Sequence, residues 1–212
     1  MLSRQSGLFG LFSGLTLALA ACDAHGEEDY DPLRFVTQGT QLIATGEIDS
    51  RSPQAFTKAL QMAPDTKMLV LQYVPGSLDD EANLKLARAV RDSGLATFVP
   101  KDGLVASGGT DLFLAGVTRT AVAGACLGVH SWSGGPDFPL ATDLPHDDEE
   151  HEKYLIYYNA MGIPEAFYWF TLKAAPAEGM HWMSAAEINT YQMTTEPMAA
   201  AVRSTRRCEE RS

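Results

Sequence analysis

Residues Lys67 to Tyr73 read Lys-Met-Leu-Val-Leu-Gln-Tyr, a nearly continuous apolar run that Pro75-Gly76 cuts short. A stretch this short and this apolar suits a strand buried on both faces, and parallel sheets carry such strands because helices cover both of their sides. The neighbouring segments agree. Leu42 to Ile48 reads as an earlier strand, and Ser52-Pro53 opens a helix with Pro at an early helical position. Asp79 or Asp80 can cap an amphipathic helix over Glu81 to Asp92 that ends at Ser93-Gly94, and Ala96 to Val99 is a third strand. Strands alternating with helices at this spacing predict βαβ units and a mainly parallel α/β sheet.

Further along, Thr110 to Ala115 reads as a buried helix closed by Gly116, and Ala125 to Val129 as a strand leading to His130. The segment from Ser131 to Pro145 is rich in Gly, Pro and Asp. Helices are then expected over His146 to Met161, with acidic residues at its start, and from Pro164 to Lys173. A last helix over Ser184 to Tyr191 carries a capping box, Ser184 with Glu187.

The first 21 residues are set apart from this fold. Arg4 precedes an uncharged, largely apolar stretch from Gly7 to Ala21. It falls short of the ~20 apolar residues a spanning helix needs and ends in small residues, the pattern of a secretory signal. Leu19-Ala20-Ala21-Cys22 resembles a bacterial lipoprotein box. That resemblance implies cleavage before Cys22, a lipid on that cysteine and a place at the periplasmic face of a membrane. With Asp23 next, it points to the inner membrane. Residues 22–40, acidic over Asp23 to Pro32, are expected to tether the anchor to a domain at 41–195, and residues 196–212 to form a flexible tail.

The net charge of −11 becomes −12 once Arg4 is removed, since 15 basic residues then face 27 acidic ones. Nucleic acid is thereby an improbable partner, because phosphate binding needs clustered Lys and Arg. Two cysteines remain, Cys126 and Cys208, which either pair in an oxidising compartment or stay free.

The chemistry-bearing stretch lies between Gly103 and His130. Ser107 sits among Ala106, Gly108 and Gly109, small residues that let a substrate backbone come close. A serine hydroxyl needs a base, and histidine is the usual one. Attack on a carbonyl also needs preorganised backbone donors, each worth about 100- to 1000-fold in rate. Ser107, His130 and the Gly76-Ser77 turn could fill these three roles. The plainer reading is that Ser107 caps the helix that follows it and that His130 is a satisfied histidine at the edge of the core.

Several segments together resemble the Clp-protease/crotonase superfamily, within it the periplasmic bacterial proteins related to the Clp proteolytic subunit. They are Tyr73-Val74-Pro75-Gly76, Ala106-Ser107-Gly108-Gly109, Ala115-Gly116, Val129-His130 and Met183-Ser184-Ala185-Ala186-Glu187, spread over Gln41 to Thr195. The resemblance implies a ClpP/crotonase-like ββα spiral with a mainly parallel sheet and C-terminal helices. It implies Ser107 as nucleophile, His130 as general base and the amides of Ser77 and Gly108 as the oxyanion hole. The sequence carries no sign of the coenzyme A chemistry found elsewhere in the superfamily, and no cofactor and no metal are expected.

Two departures stand out. The turn has Ser77 where the family has a second glycine. Where the family has its acid, this chain has Gly179-Met180-His181, with Glu178 slightly upstream as the candidate third member. The expected function is a membrane-anchored periplasmic serine hydrolase of the peptidase kind, taking a peptide or acyl substrate. The alternative is an inactive relative kept for binding or assembly. The aromatic run from Tyr154 to Phe170 suits a lid or homo-oligomer packing. The cluster of His146, Asp147, Asp148, Glu149, Glu150 and His151 reads better as a solvated helix start than as a metal site.

Overall fold

The computed structural model describes residues 30–134, 139–198 and 208–210. The proposed signal segment 1–21 and Cys22 lie outside the described residues. Among those described, no helix is long and apolar enough to cross a membrane.

Strand β1 (Arg34–Gln38) pairs antiparallel with β2 (Gln41–Thr45), and helix α1 (Ser52–Met62) leads to β3 (Met68–Val74), parallel to β2. Helix α2 (Asp80–Asp92) then leads to β4 (Ala96–Val99), which lies parallel to the first half of β3. Strand β5 (Leu104–Ala106) lies parallel to the second half of β3, at Tyr73 and Val74.

The sheet therefore forks at β3. After helix α3 (Gly108–Leu114), strand β6 (Arg119–Ala121) extends the β4 arm and β7 (Cys126–Val129) extends the β5 arm, both in parallel. Two strands and a helix, repeated, make the expected ββα spiral. Helices α4 (Glu149–Met161) and α5 (Glu165–Ala174) follow. Strand β8 (His181–Trp182) closes the β7 edge antiparallel, and α6 (Ala185–Thr190) ends the domain.

Local chemistry explains these boundaries. Asp79 caps α2 by accepting from the Ala82 N–H at 2.9 Å, and Asp148 caps α4. Ser184 and Glu187 complete the capping box of α6. The run Leu69, Leu71 and Val74 on β3 is fully buried. So are Leu86 and Val90 on α2, and Leu112 and Phe113 on α3, which pack into the same core. Helix α3 comes so close to β3 that a Cβ on Gly109 would lie 2.0 Å from the Val74 carbonyl oxygen.

Two expectations change. Residues 34–38, assigned to the tether, form β1, because all five pair in antiparallel register with β2 even though most of their side chains stay exposed. The tail is tied down where it is described. Met198 is buried and exchanges two hydrogen bonds with the Asn189 side chain, and Cys208 is disulfide-bonded to Cys126 across 82 positions. The aromatic residues of α4 and α5 mostly face inward: Tyr154, Tyr157, Tyr158, Phe167 and Tyr168 are all buried within the chain.

Candidate active site

Strand β5 ends at Ala106, and Ser107 turns the chain into α3. Its backbone is at φ +51° and ψ −128°, a conformation that L residues rarely adopt. Its N–H donates to the Gly128 carbonyl at 3.1 Å, which fixes the turn against β7. Ser107 occupies the position that caps α3, yet its hydroxyl makes no capping hydrogen bond. The helix-cap reading of Ser107 therefore fails on geometry. The turn resembles the strained strand-to-helix elbow that presents a nucleophilic serine in α/β-hydrolases.

The Pro75-Gly76-Ser77 turn lies beside it, and a Cβ on Gly76 would sit 3.8 Å from the Ser107 Cβ. Ile48 donates to the Gly76 carbonyl at 3.0 Å and accepts from the Leu78 N–H at 2.8 Å. Across a trans peptide the N–H opposes the preceding carbonyl, so the Ser77 N–H points away from β2, toward the β5 side. Ser77 has no positive φ, so serine in place of glycine introduces no left-handed strain.

The Ser107 carbonyl accepts from Thr110 and Asp111 inside α3, which by the same rule turns the Gly108 N–H out of the helix start. The two segments touch: a Cβ on Gly108 would lie 2.4 Å from Ser77 Oγ. Both candidate oxyanion donors thus belong to one corner.

His130 follows β7 and is half-buried. It lines the same cleft as Ser107 and Gly108, a small space of about 40 Å³ that Asp80, Asp111, Trp132 and Tyr154 also border. No hydrogen bond joins Ser107 to His130, and the buried His130 Nδ1 has no partner. Desolvation lowers the imidazole from its ordinary value, while backbone groups of Ser131 and Ala177 and the charges of Asp80 and Glu178 act the other way. A neutral imidazole is the form able to accept a proton. Glu178 is exposed and makes no hydrogen bond to His130, so it acts on the ring only through its charge.

Two acids outside the set of expected catalytic residues stand in this cleft. Asp80 Oδ1 accepts from Ser77 Oγ at 2.9 Å, and its Oδ2 accepts from the Tyr154 hydroxyl at 2.6 Å. Asp111 accepts from Tyr158 at 2.6 Å and from Asn83 Nδ2 at 3.3 Å, while Tyr157 holds its backbone carbonyl. Desolvation pushes the Asp111 carboxyl up to about 7 against the Tyr158 hydrogen bond, and the charge of Asp80 adds to the rise. The signals were present. Asp79 and Asp80 form a doublet of which only one can cap, and Asp111 stands four residues after Ser107, one helical turn on.

The acidic cluster at the start of α4 is dispersed. Asp148 caps the helix, Glu150 pairs with Lys153 at 2.8 Å, and His146 stacks on Trp169. His151 is buried, with its Nδ1 2.6 Å from the Tyr168 hydroxyl.

No protein-family model matches the sequence, and neither does any curated protein. Among solved structures the chain is similar to a mutant of 1510-N, a membrane-bound stomatin-specific protease, at 12% identity and a TM-score of 0.49, over 74% of this chain and 78% of that one. Another mutant of that protease, in complex with a substrate peptide, gives 13% identity and a TM-score of 0.48, over 74% of each chain. An enoyl-CoA hydratase from Polaromonas sp. gives 14% and 0.48, over 81% of this chain and 71% of that one. The spiral itself stands on the strand pairing described above.

Proposed function

We propose that this protein is a serine hydrolase that cleaves a peptide or acyl bond through an acyl-enzyme on Ser107. The observation that carries this reading is Ser107 itself. Its backbone is strained, its hydroxyl is unused by the fold, and it shares a cleft with an imidazole whose Nδ1 is unpartnered. Strain held at one polar residue that serves no local structure is the signature of a functional position.

In the proposed reaction Ser107 Oγ attacks the carbonyl carbon while His130 takes its proton. The oxyanion accepts hydrogen bonds from the Ser77 and Gly108 N–H groups. The protonated His130 then gives its proton to the departing group. Water, deprotonated by His130, releases the acyl chain and regenerates the serine hydroxyl.

The enzyme is proposed to work from a lipid anchor at Cys22 on the periplasmic face of the inner membrane. The Cys126–Cys208 disulfide supports an oxidising compartment. Labelled palmitate should enter the full chain and be lost from Cys22→Ser; equal incorporation in both would refute the anchor.

A fluorophosphonate probe tests the chemistry. The wild type should be labelled covalently and Ser107→Ala should not. An unlabelled wild type, or label that survives the substitution, overturns the hydrolase reading. A binding role is the second reading, favoured by one observation: no carboxylate is hydrogen-bonded to His130 among the described residues.

A further inference from the structure

We propose that Asp80 is the charge partner of His130 and the anchor of the Ser77 turn, filling the role for which the sequence puts Glu178 forward. This inference deepens the hydrolase reading and rests on it for its meaning. A serine–histidine pair needs an acid because attack leaves an imidazolium behind, and a nearby negative charge stabilises that ion. Glu178 is exposed, so water screens its charge. Asp80 borders the cleft itself, together with Ser107 and His130.

Two hydrogen bonds hold the Asp80 carboxylate from opposite elements. Ser77 Oγ binds Oδ1 from the turn at the end of β3, and the Tyr154 hydroxyl binds Oδ2 from α4. Neither is a cation, so the carboxylate keeps its full charge toward the cleft. Asp79, its neighbour, is spent on capping α2, which leaves Asp80 free for this position.

The departure from glycine at position 77 now has a use. A glycine there would supply the same backbone N–H but no hydroxyl to hold Asp80. One residue thereby links the oxyanion turn to the acid, and Tyr154 links the acid to the helix that roofs the cleft. The titratable groups around His130 are Asp80 from α2, Asp111 from α3, Tyr154 and Tyr158 from α4, Tyr168 from α5, and Glu178 from the loop before β8. Of these, Asp80 and Glu178 are the two whose charges favour the protonated ring.

The test reads His130 directly and does not depend on turnover. Ring resonances of the histidines are followed by NMR through a pH titration of the full chain, with His130 assigned from the signal lost in His130→Gln. Asp80→Asn should move the His130 midpoint to lower pH, and Glu178→Gln should move it less. Tyr154→Phe keeps the charge but removes one anchor and should give a smaller shift in the same direction. It also serves if Asp80→Asn fails to fold.

Fluorophosphonate labelling at pH 7 should slow about threefold to tenfold in Asp80→Asn, as expected for a weaker base, and less than twofold in Glu178→Gln. An unmoved His130 midpoint in Asp80→Asn, or a larger shift in Glu178→Gln, overturns the assignment. A wild type that is never labelled sinks the hydrolase reading, while the titration still judges Asp80.

Discussion

Replacing Asp111 with asparagine should make the protein more stable at pH 8 and less sensitive to pH. In the folded chain the Asp111 carboxyl titrates at about 7 instead of 3.8. Its proton is therefore held more tightly folded than unfolded. Below 3.8 both states are protonated and the contribution is fully present. Between 3.8 and about 7 the unfolded chain releases the proton while the folded chain keeps it, so stability falls by about 1.4 kcal/mol per pH unit. Across that window the loss is about 4 kcal/mol, and above it the curve is flat.

Asparagine removes the buried charge and preserves the shape. Tyr158 can still donate to the side-chain oxygen. Asn83 donates its Nδ2 to Asp111 while its own Oδ1 is buried without a partner. Turning that amide over would let Oδ1 accept from the new NH2 group. Urea unfolding followed by Trp fluorescence, at half-unit steps from pH 4 to 8, gives both curves. The variant-minus-wild-type difference should climb by about 4 kcal/mol with rising pH. Taking the difference cancels carboxylates such as Asp49 and Glu187, whose lowered values act in the opposite sense. A difference that stays flat to within about 1 kcal/mol, or falls, would refute the reasoning.

Three further outcomes are expected. Removing the disulfide with Cys126→Ala and Cys208→Ala frees an 82-residue separation and should cost about 4.5 kcal/mol by chain entropy, read from urea midpoints; a cost below about 1 kcal/mol would count against it. Gly109→Ala drives a Cβ to 2.0 Å from the Val74 carbonyl and should cost about 3 kcal/mol or prevent folding, judged by circular dichroism and thermal melting. Because burial lowers the His130 imidazole below its ordinary 6.5, the rate of fluorophosphonate labelling should fall to half its plateau only below pH 6.5; a half-maximal rate above pH 6.5 would contradict this.

Much of the spiral could be read from the sequence because its signals are local. The apolar run of β3, the amphipathic face of α2 and the Ser184–Glu187 box each depend on a few adjacent residues. Strands β5, β6 and β8 are two or three residues long, and pairing with distant strands defines them. No periodicity develops over so short a span. Edge strand β1 was hidden because its residues are mostly exposed. The site divides in the same way. Ser107, His130 and the turn were found because small residues and chain breaks mark them. Asp80 and Asp111 were left out of the expected site because an acid near a helix start has an ordinary explanation. Only tertiary structure brings Tyr154 and Tyr158, more than 40 positions away, onto these carboxylates.

The elbow at position 107 has a consequence for how this chain can drift over time. Its φ of +51° suits glycine far better than any residue with a Cβ. Ser107→Gly should therefore raise stability by about 1 kcal/mol, whereas Ser107→Ala retains the strain. A scaffold needed only for adhesion would be free to make that exchange, the relieved strain being offset in part by the greater freedom of glycine in the unfolded chain. On the hydrolase reading proposed above, the serine is kept at this bend for its oxygen.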